Sequence, residues 1–319
     1  MDLPAELLKI PSIFYPRAVA KTLAVAQNNT RFVHYTSAEV AFSILTRGEV
    51  WMRNAQVMND FSEIEWGFGC LNVAYKGQHG IRLRAILDKL FPGIAVEIEN
   101  IFNGWLPHLR IASYITSVSE HRDSEDVTGR LSMWRAYGGD AGVALVLNNT
   151  PFLSTSQALG AFTSPVEYLR EQEFEDAFSQ VVDGIEANQA VIGGMPRADV
   201  LGHVFSMFRF AVLCTKHPGF QEELEWRVIF VPNLYSQAKV IHDYANVSGV
   251  PQSIYKIPLQ DWPDDGFVGL AVPSFLNRLI IGPTRLPGTL FDTFSKVLAD
   301  AGVADIPNKL FRSDIPLRR

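Results

Sequence analysis

Helix-period and strand-period segments follow one another in this chain without regular alternation and without a repeat, and that irregular order most constrains its fold. Arg31–Tyr35 is a short β-prone run. Thr36 or Ser37 then offers an N-cap for a helix over Ala38–Thr46, with Glu39 in its first turn. Gly48 stands where a helix C′ residue belongs. Glu49–Arg53 reads as a second strand, with Val50 and Met52 on one face and Trp51 on the other. A helix is predicted over Asp60–Tyr75, and an amphipathic helix over residues 81–101, broken at Pro92. Ile111–Ser119 alternates as a strand, His121–Gly129 is a charged loop, Leu131–Tyr137 a helical turn and Gly142–Leu147 a buried strand. An acidic helix over 170–190 gives way at Ile192–Pro196. Arg197–Leu213 is a strong helix and Trp226–Val231 a strand. Thr289–Ala301 is a late helix before a short strand near Lys309–Arg312. A doubly wound fold would alternate regularly, so the order predicts an α+β domain. Residues 1–30 read as a lead-in, and 31–319 as a single domain with helical insertions near 60–105 and 165–215. No GxGxxG follows a strand and no GxxxxGK[ST] occurs, which argues against a Rossmann or P-loop site.

Composition narrows the class. The chain has 319 residues, 47% hydrophobic and 19% charged, as in a soluble globular protein with a large core. A net charge of −6 argues against a dedicated nucleic-acid surface. Cys70 and Cys214 lie far apart in apolar context, which suits buried thiols in a reducing compartment. The start Met1-Asp2-Leu3-Pro4 lacks the pattern of a signal peptide. The longest apolar run, near Phe208–Cys214, is interrupted by Arg209 and too short for a bilayer. The expectation is a cytoplasmic protein with no membrane association. The seven histidines include no HExxH and no His/Cys cluster, so no metal is expected. There is no GxSxG elbow.

Chemistry concentrates in four polar-aromatic islands: His34-Tyr35-Thr36-Ser37, Asn59-Asp60-Phe61-Ser62-Glu63, Met133-Trp134-Arg135-Ala136-Tyr137 and Glu223-Leu224-Glu225-Trp226-Arg227. Aromatic walls with a few convergent polar groups are what a small-molecule pocket needs. His34 reads either as a ligand-orienting imidazole or as a core histidine bonded to backbone. Asn59 or Asp60 reads first as an N-cap, with Glu63 completing a capping box, in an island that can also shape a pocket rim. Trp134 and Tyr137, three apart, fall on one helical face, as a ring clamp or as core. The fourth island is the least bland. Alternation along a strand projects Glu223, Glu225 and Arg227 together, opposite Leu224, Trp226 and Val228. Two carboxylates and a guanidinium on one face suggest a tuned acid or base, against the alternative of an exposed edge-strand salt bridge.

Taken together, these motifs resemble a bacterial family known as a domain of unknown function. The resemblance runs through His34–Ser37, the Ile44–Trp51 segment, Asn59-Asp60-x-x-Glu63, a Ser-x-Ser strand, Met133-Trp134-x-x-Tyr137 and Glu223-x-Glu225-Trp226-Arg227. It continues through Leu279-Ile280-Ile281-Gly282 and the Ser313–Arg318 tail. Phe61 stands where that family usually has Pro, and Leu279 where it has Ile. More remotely, the motif order resembles the ADP-ribosyltransferase-like superfamily. That resemblance implies a split β-sandwich core clasping NAD as substrate, and an NAD-dependent ADP-ribosyltransferase or NAD glycohydrolase, of the kind found in bacterial toxins and anti-phage effectors. It implies that His34 bonds the nicotinamide ribose and that Trp134 or Tyr137 stacks on nicotinamide. Glu225 would hold the ribose 2′-hydroxyl and stabilise the oxocarbenium-like state, and Glu223 would assist the acceptor. Tyr35, Thr36, Ser37, Asn59, Asp60 and Arg227 complete the implied cofactor-binding set. The implied partners are a protein or nucleic-acid acceptor and a cognate antitoxin or regulator. The rival reading is a catalytically inactive module of the same fold that binds a nucleotide or a protein.

Overall fold

Two short helices, α1 (Pro11–Phe14) and α2 (Pro16–Gln27), each start with a proline in the first turn, where its missing N–H costs nothing. The structure is a computed structural model, and it describes residues 8–57, 61–234, 238–247 and 249–316. Strand β1 (Arg31–Ser37) runs into helix α3 (Ala38–Arg47), which Ser37 caps by accepting the Val40 N–H, and Gly48 ends it in the left-handed region. Strand β2 (Glu49–Asn54) follows. Helices α4 (Phe61–Lys76), α5 (Gln78–Leu90) and α6 (Ile94–Ile111) form the first helical excursion. Next come β3 (Tyr114–His121), α7 (Leu131–Tyr137), β4 (Gly142–Leu147), β5 (Ala161–Pro165) and β6 (Glu167–Tyr168). Helices α8 (Glu171–Ala187), α9 (Gln189–Gly193) and α10 (Arg197–Leu213) form the second excursion, followed by β7 (Thr215–Lys216) and β8 (Glu225–Phe230). The chain continues through β9 (Ile241–Val247), β10 (Val250–Pro258), α11 (Val272–Phe275), β11 (Leu276–Ile281), α12 (Pro287–Asp300) and β12 (Leu310–Arg312).

The fold is α+β, as the irregular order predicts. A large mixed sheet runs β12-β11-β4-β1-β3-β2-β10-β9, with β8 and β5 branching from β3. Strand β3 is the branch point. One edge pairs with β8 from Tyr114 to Ser119. The other edge is shared: β1 pairs with it at Ser119–His121 and β2 at Tyr114–Ile115. Between those two contacts the sheet parts, and the His34 Nδ1–H donates to the Ser117 carbonyl in the gap at 2.9 Å.

Alternation along β3 and β8 assigns the two faces to different cores. Ile115 and Ile229 join the helical layer of α4, α5, α6, α8 and α10. Tyr114, Val118, Trp226, Val228 and Phe230 face a second core with α3 and α12. Tyr35, Met133 and Trp134 lie in a third, smaller cluster under α7. Within the helical layer, α4 crosses α10 at Gly67, where a Cβ would sit 2.6 Å from the Ala211 and Val212 carbonyl oxygens.

Two local predictions need correction. The strand predicted from Ile111 begins at Tyr114, because the preceding helix persists: Ala112 N–H bonds the His108 carbonyl at 2.8 Å and Ser113 Oγ the Leu109 carbonyl at 2.7 Å. Strands β5, β6, β7, β9 and β10 were not predicted. The β9 edge is largely exposed and carries His242, Asp243 and Tyr244, so it lacks the apolar alternation that marks a half-buried strand.

The crossing at Gly67 is testable. Gly67→Ala forces a methyl group into backbone and should destabilise the protein by about 1–3 kcal/mol in urea unfolding. Gly69→Ala, where a Cβ meets nothing within 4 Å, is the matched control and should be neutral or mildly stabilising.

Candidate functional site

On the helical side of β8, alternation brings Glu225 and Arg227 to one face, and both are buried. Arg227 Nε donates to Glu225 Oε1 at 3.0 Å, Nη1 to the Leu213 carbonyl at the end of α10 at 2.7 Å, and Nη2 to Glu63 Oε2. Lys216 on β7 completes the group. Its Nζ lies 2.9 Å from Glu63 Oε1, 2.6 Å from Glu223 Oε2 and 3.0 Å from Glu225 Oε2. Ser117 Oγ donates to Glu225 Oε1 at 2.5 Å, and Tyr168 Oη accepts the Glu225 backbone N–H at 2.8 Å. At the rim, Tyr137 Oη donates to Glu223 Oε1 at 3.0 Å, and the Phe220 ring lies 5.0 Å from Lys216 Nζ.

Within this group the described residues Glu63, Glu223, Glu225, Lys216 and Arg227 carry three carboxylates against two cations, so one negative charge is in excess. Burial alone would push the Glu225 carboxyl up. The Arg227 and Lys216 charges and the Ser117 hydroxyl outweigh it and hold the carboxyl down at about 2. Burial likewise disfavours the Lys216 ammonium, but Glu225 and Glu63 more than compensate and raise its pKa. The Tyr137 and Tyr168 phenols are raised, by burial first and then by Glu223 and Glu225 respectively, so both stay protonated at neutral pH. The site is thus a preset anion with neutral phenols around it. A carboxyl this acidic is poorly matched to proton transfer near neutrality and well matched to fixed electrostatic stabilisation.

The structure divides the sequence-derived candidates. Glu225 and Arg227 share a face as the strand alternation predicts, whereas Glu223 joins them from a 3-10 turn, linked to β8 by Leu224 in the left-handed region. Tyr137 joins them. Tyr35 and Trp134 lie on the same sheet face but are packed inside. Their rings meet edge-on at 4.8 Å, Tyr35 Oη accepts the Arg130 N–H at 2.8 Å, and Trp134 Nε1 donates to the Thr128 carbonyl at 2.9 Å. Trp134 also lies directly on Gly282, where a Cβ would sit 2.8 Å from the indole. Trp134 and Tyr137 therefore do not form a clamp: Trp134 is buried, and Tyr137 is 45% exposed.

His34, Thr36 and Ser37 are not brought to this group. His34 and Thr36 alternate onto the opposite face of β1, and Ser37 is the α3 cap. The His34 ring lines an apolar cavity of about 70 Å³ beside Val118, Leu145 and Val228. Burial lowers its pKa, only partly opposed by the Ser117 carbonyl, so it stays neutral. This is the core-histidine alternative. Among the described residues it is linked to the acidic group through Ser117, which accepts from His34 through its carbonyl and donates to Glu225 through its hydroxyl. Asn59 and Asp60 lie outside the described residues.

Sequence reading missed Lys216, Tyr168 and the role of Ser117, and took Glu63 for a capping residue. Glu63 was already inside an island, one turn before Gly67 on α4. Its carboxylate pairs with Lys216 and Arg227, while the cap positions Asn59 and Asp60 lie outside the described residues. Lys216 stands on a two-residue strand whose sequence carries no periodic signal. Among the described residues there is no cluster of His, Cys, Asp or Glu suited to a metal, and no helix is long and apolar enough to cross a membrane.

Residues 133–228 match the model of a family described as "Protein of unknown function (DUF2971)". The chain is similar to an uncharacterised family over that stretch. The match spans Trp134, Tyr137, Lys216, Glu223, Glu225 and Arg227, so it covers most of the acidic group, while Glu63 and Ser117 lie before it. No curated protein and no solved structure matches the chain.

Two measurements check the ionic reading. Glu225 has a folded pKa near 2, below its ordinary 4.5, so its contribution to stability is present above pH 4.5 and is lost as pH falls toward 2. Urea unfolding across that window should show a steep acid loss, reduced in Glu225→Gln. Lys216→Met leaves the Glu63, Glu223 and Glu225 carboxylates facing Arg227 alone and should cost about 3–5 kcal/mol.

Proposed function

We propose that this chain is an NAD-dependent ADP-ribosyltransferase or NAD glycohydrolase built on an ADP-ribosyltransferase-like split β-sandwich core. The observation that carries the reading is the Glu225 carboxylate, held ionised between Arg227, Lys216 and Ser117 beneath the Tyr137–Glu223 rim. Cleaving the bond between ribose and a cationic nicotinamide needs little acid catalysis. It needs orientation and an anion near the positive charge that develops on the sugar. The excess negative charge of the group and the neutral Tyr137 phenol at its rim supply both. The parting of the sheet at β3 is consistent with a split core.

In this scheme the glycosidic C–N bond breaks and its electron pair leaves with nicotinamide. The Glu225 carboxylate stabilises the oxocarbenium-like ribose. A nucleophile from water or from a protein or nucleic-acid acceptor adds to the same carbon, and Glu223 at the rim takes its proton. Tyr137, half exposed and bonded to Glu223, is the aromatic group placed to meet the substrate ring. His34 has no part, since it faces the opposite side of the sheet.

A second reading rests on one specific observation. Both Glu225 oxygens are already engaged, Oε1 by Ser117 and Arg227 and Oε2 by Lys216 and Arg227. Such a saturated carboxylate also suits a structural tie in an inactive binding module.

Nicotinamide release from NAD by the purified protein separates the two. On the enzymatic reading wild type releases nicotinamide, and Glu225→Gln, checked as folded by circular dichroism, loses about 100-fold or more. Turnover retained in folded Glu225→Gln would overturn the assignment. A wild-type protein that neither releases nicotinamide nor gains thermal stability with NAD supports the inactive module.

A further inference from the structure

We propose that the cleft between helices α4, α5, α6 and α10 binds a planar aromatic small molecule carrying an anionic group. The cleft has a volume of about 480 Å³, within the range of small-ligand sites and well above the 70 Å³ cavity beside His34. It lies in the helical layer, and none of its lining residues belongs to the Glu225 group.

Its walls are aromatic. Tyr75, Phe102 and Phe208 meet edge to face, with ring centroids 5.1 Å apart for Tyr75–Phe208 and 5.3 Å for Phe102–Phe208. Such rings offer an apolar, flat contact surface at little entropic cost, which favours a planar guest. At the rim, the Arg84 guanidinium lies 4.7 Å over the Tyr75 ring and donates to the Tyr75 carbonyl at 2.8 Å, which fixes its position.

The charge pattern selects an anion. Three other arginines of the helical layer are paired: Arg82 with Asp183 and Glu186, Arg110 with Glu65, and Arg197 with Glu97. Among the described residues, neither Arg84 nor Lys76, which also lines the cleft, forms an ion pair. The single carboxylate there, Glu99, is occupied in accepting the Tyr75 hydroxyl at 3.0 Å. Two cations against one carboxylate leave an excess positive charge that a phosphate or carboxylate would neutralise. Asn72 and Asn103 also line the cleft, and their amides make no hydrogen bond among the described residues. Each offers both a donor and an acceptor, which suits the polar edge of a heterocycle.

A ring with polar edges and an anionic tail describes a nucleoside monophosphate. A ring without such edges describes an aromatic carboxylate. Titration calorimetry of the full chain with adenosine 5′-monophosphate and, separately, with indole-3-acetate distinguishes them. Saturable binding of either ligand, weakened about tenfold or more in Arg84→Gln and in Lys76→Gln, supports the proposal. Preference for the nucleotide, lost in Asn103→Ala, assigns the amides to edge recognition. Lys76 and Asn103 are exposed, so those variants keep the test independent of folding. The proposal is overturned if neither ligand binds, or if binding is unchanged in the Lys76→Gln/Arg84→Gln double variant. No NAD is present, so failure here leaves the reading of the Glu225 group untouched.

Discussion

Arg227 is the joint of this molecule. Its side chain is fully buried, and it reaches Glu225 on its own strand, Glu63 on α4 and the Leu213 carbonyl at the end of α10. One guanidinium thus fastens the helical layer to the centre of the sheet. A hydrophobic contact could hold two layers together at many offsets. A planar fork with fixed donors accepts few, so the pairing sets how α4 lies on β8. Buried ion pairs are weak contributors to net stability but costly to break. The arrangement is therefore tied more firmly to a geometry than to a large folding energy.

That tie sets the electrostatics of the acidic group. Three carboxylates gather where two cations already stand, and the compensation is deep enough that Glu225 stays ionised despite burial. The same compensation saturates its oxygens. Any substrate acting there must enter from the Tyr137–Glu223 rim, where exposure is greatest, and exchange one of the existing contacts for its own. Gly67 contributes indirectly. By letting α4 touch the backbone of α10, it brings Glu63, one turn earlier, within reach of Lys216 and Arg227.

The two faces of β3 carry different chemistry. Ser117 offers its hydroxyl to Glu225 on one face, while its carbonyl, in the plane of the sheet, accepts His34, which packs on the other. That bond orients His34 at the place where β1 and β2 separate, and burial against an apolar cavity keeps it neutral. Two polar residues that look like partners in sequence are thus neighbours through one backbone group and yet address separate interiors.

The sequence by itself determined the α+β class, most helix limits, a cap at Thr36 or Ser37 with its Gly48 stop, and the shared face of Glu225 and Arg227. Each follows from local rules: periodicity, side-chain capping and strand alternation act within a few residues. Strand β9 escaped because its exposed edge carries no alternation, and Lys216 because a two-residue strand has no pattern to read. Only the tertiary structure decided that Glu63 serves Arg227, that Trp134 is an anchor packed on Gly282, and that His34 faces away from Glu225. Those outcomes depend on the α4–α10 crossing and on which edge of β3 each strand takes. Both are contacts between segments far apart in the chain, which no local pattern encodes.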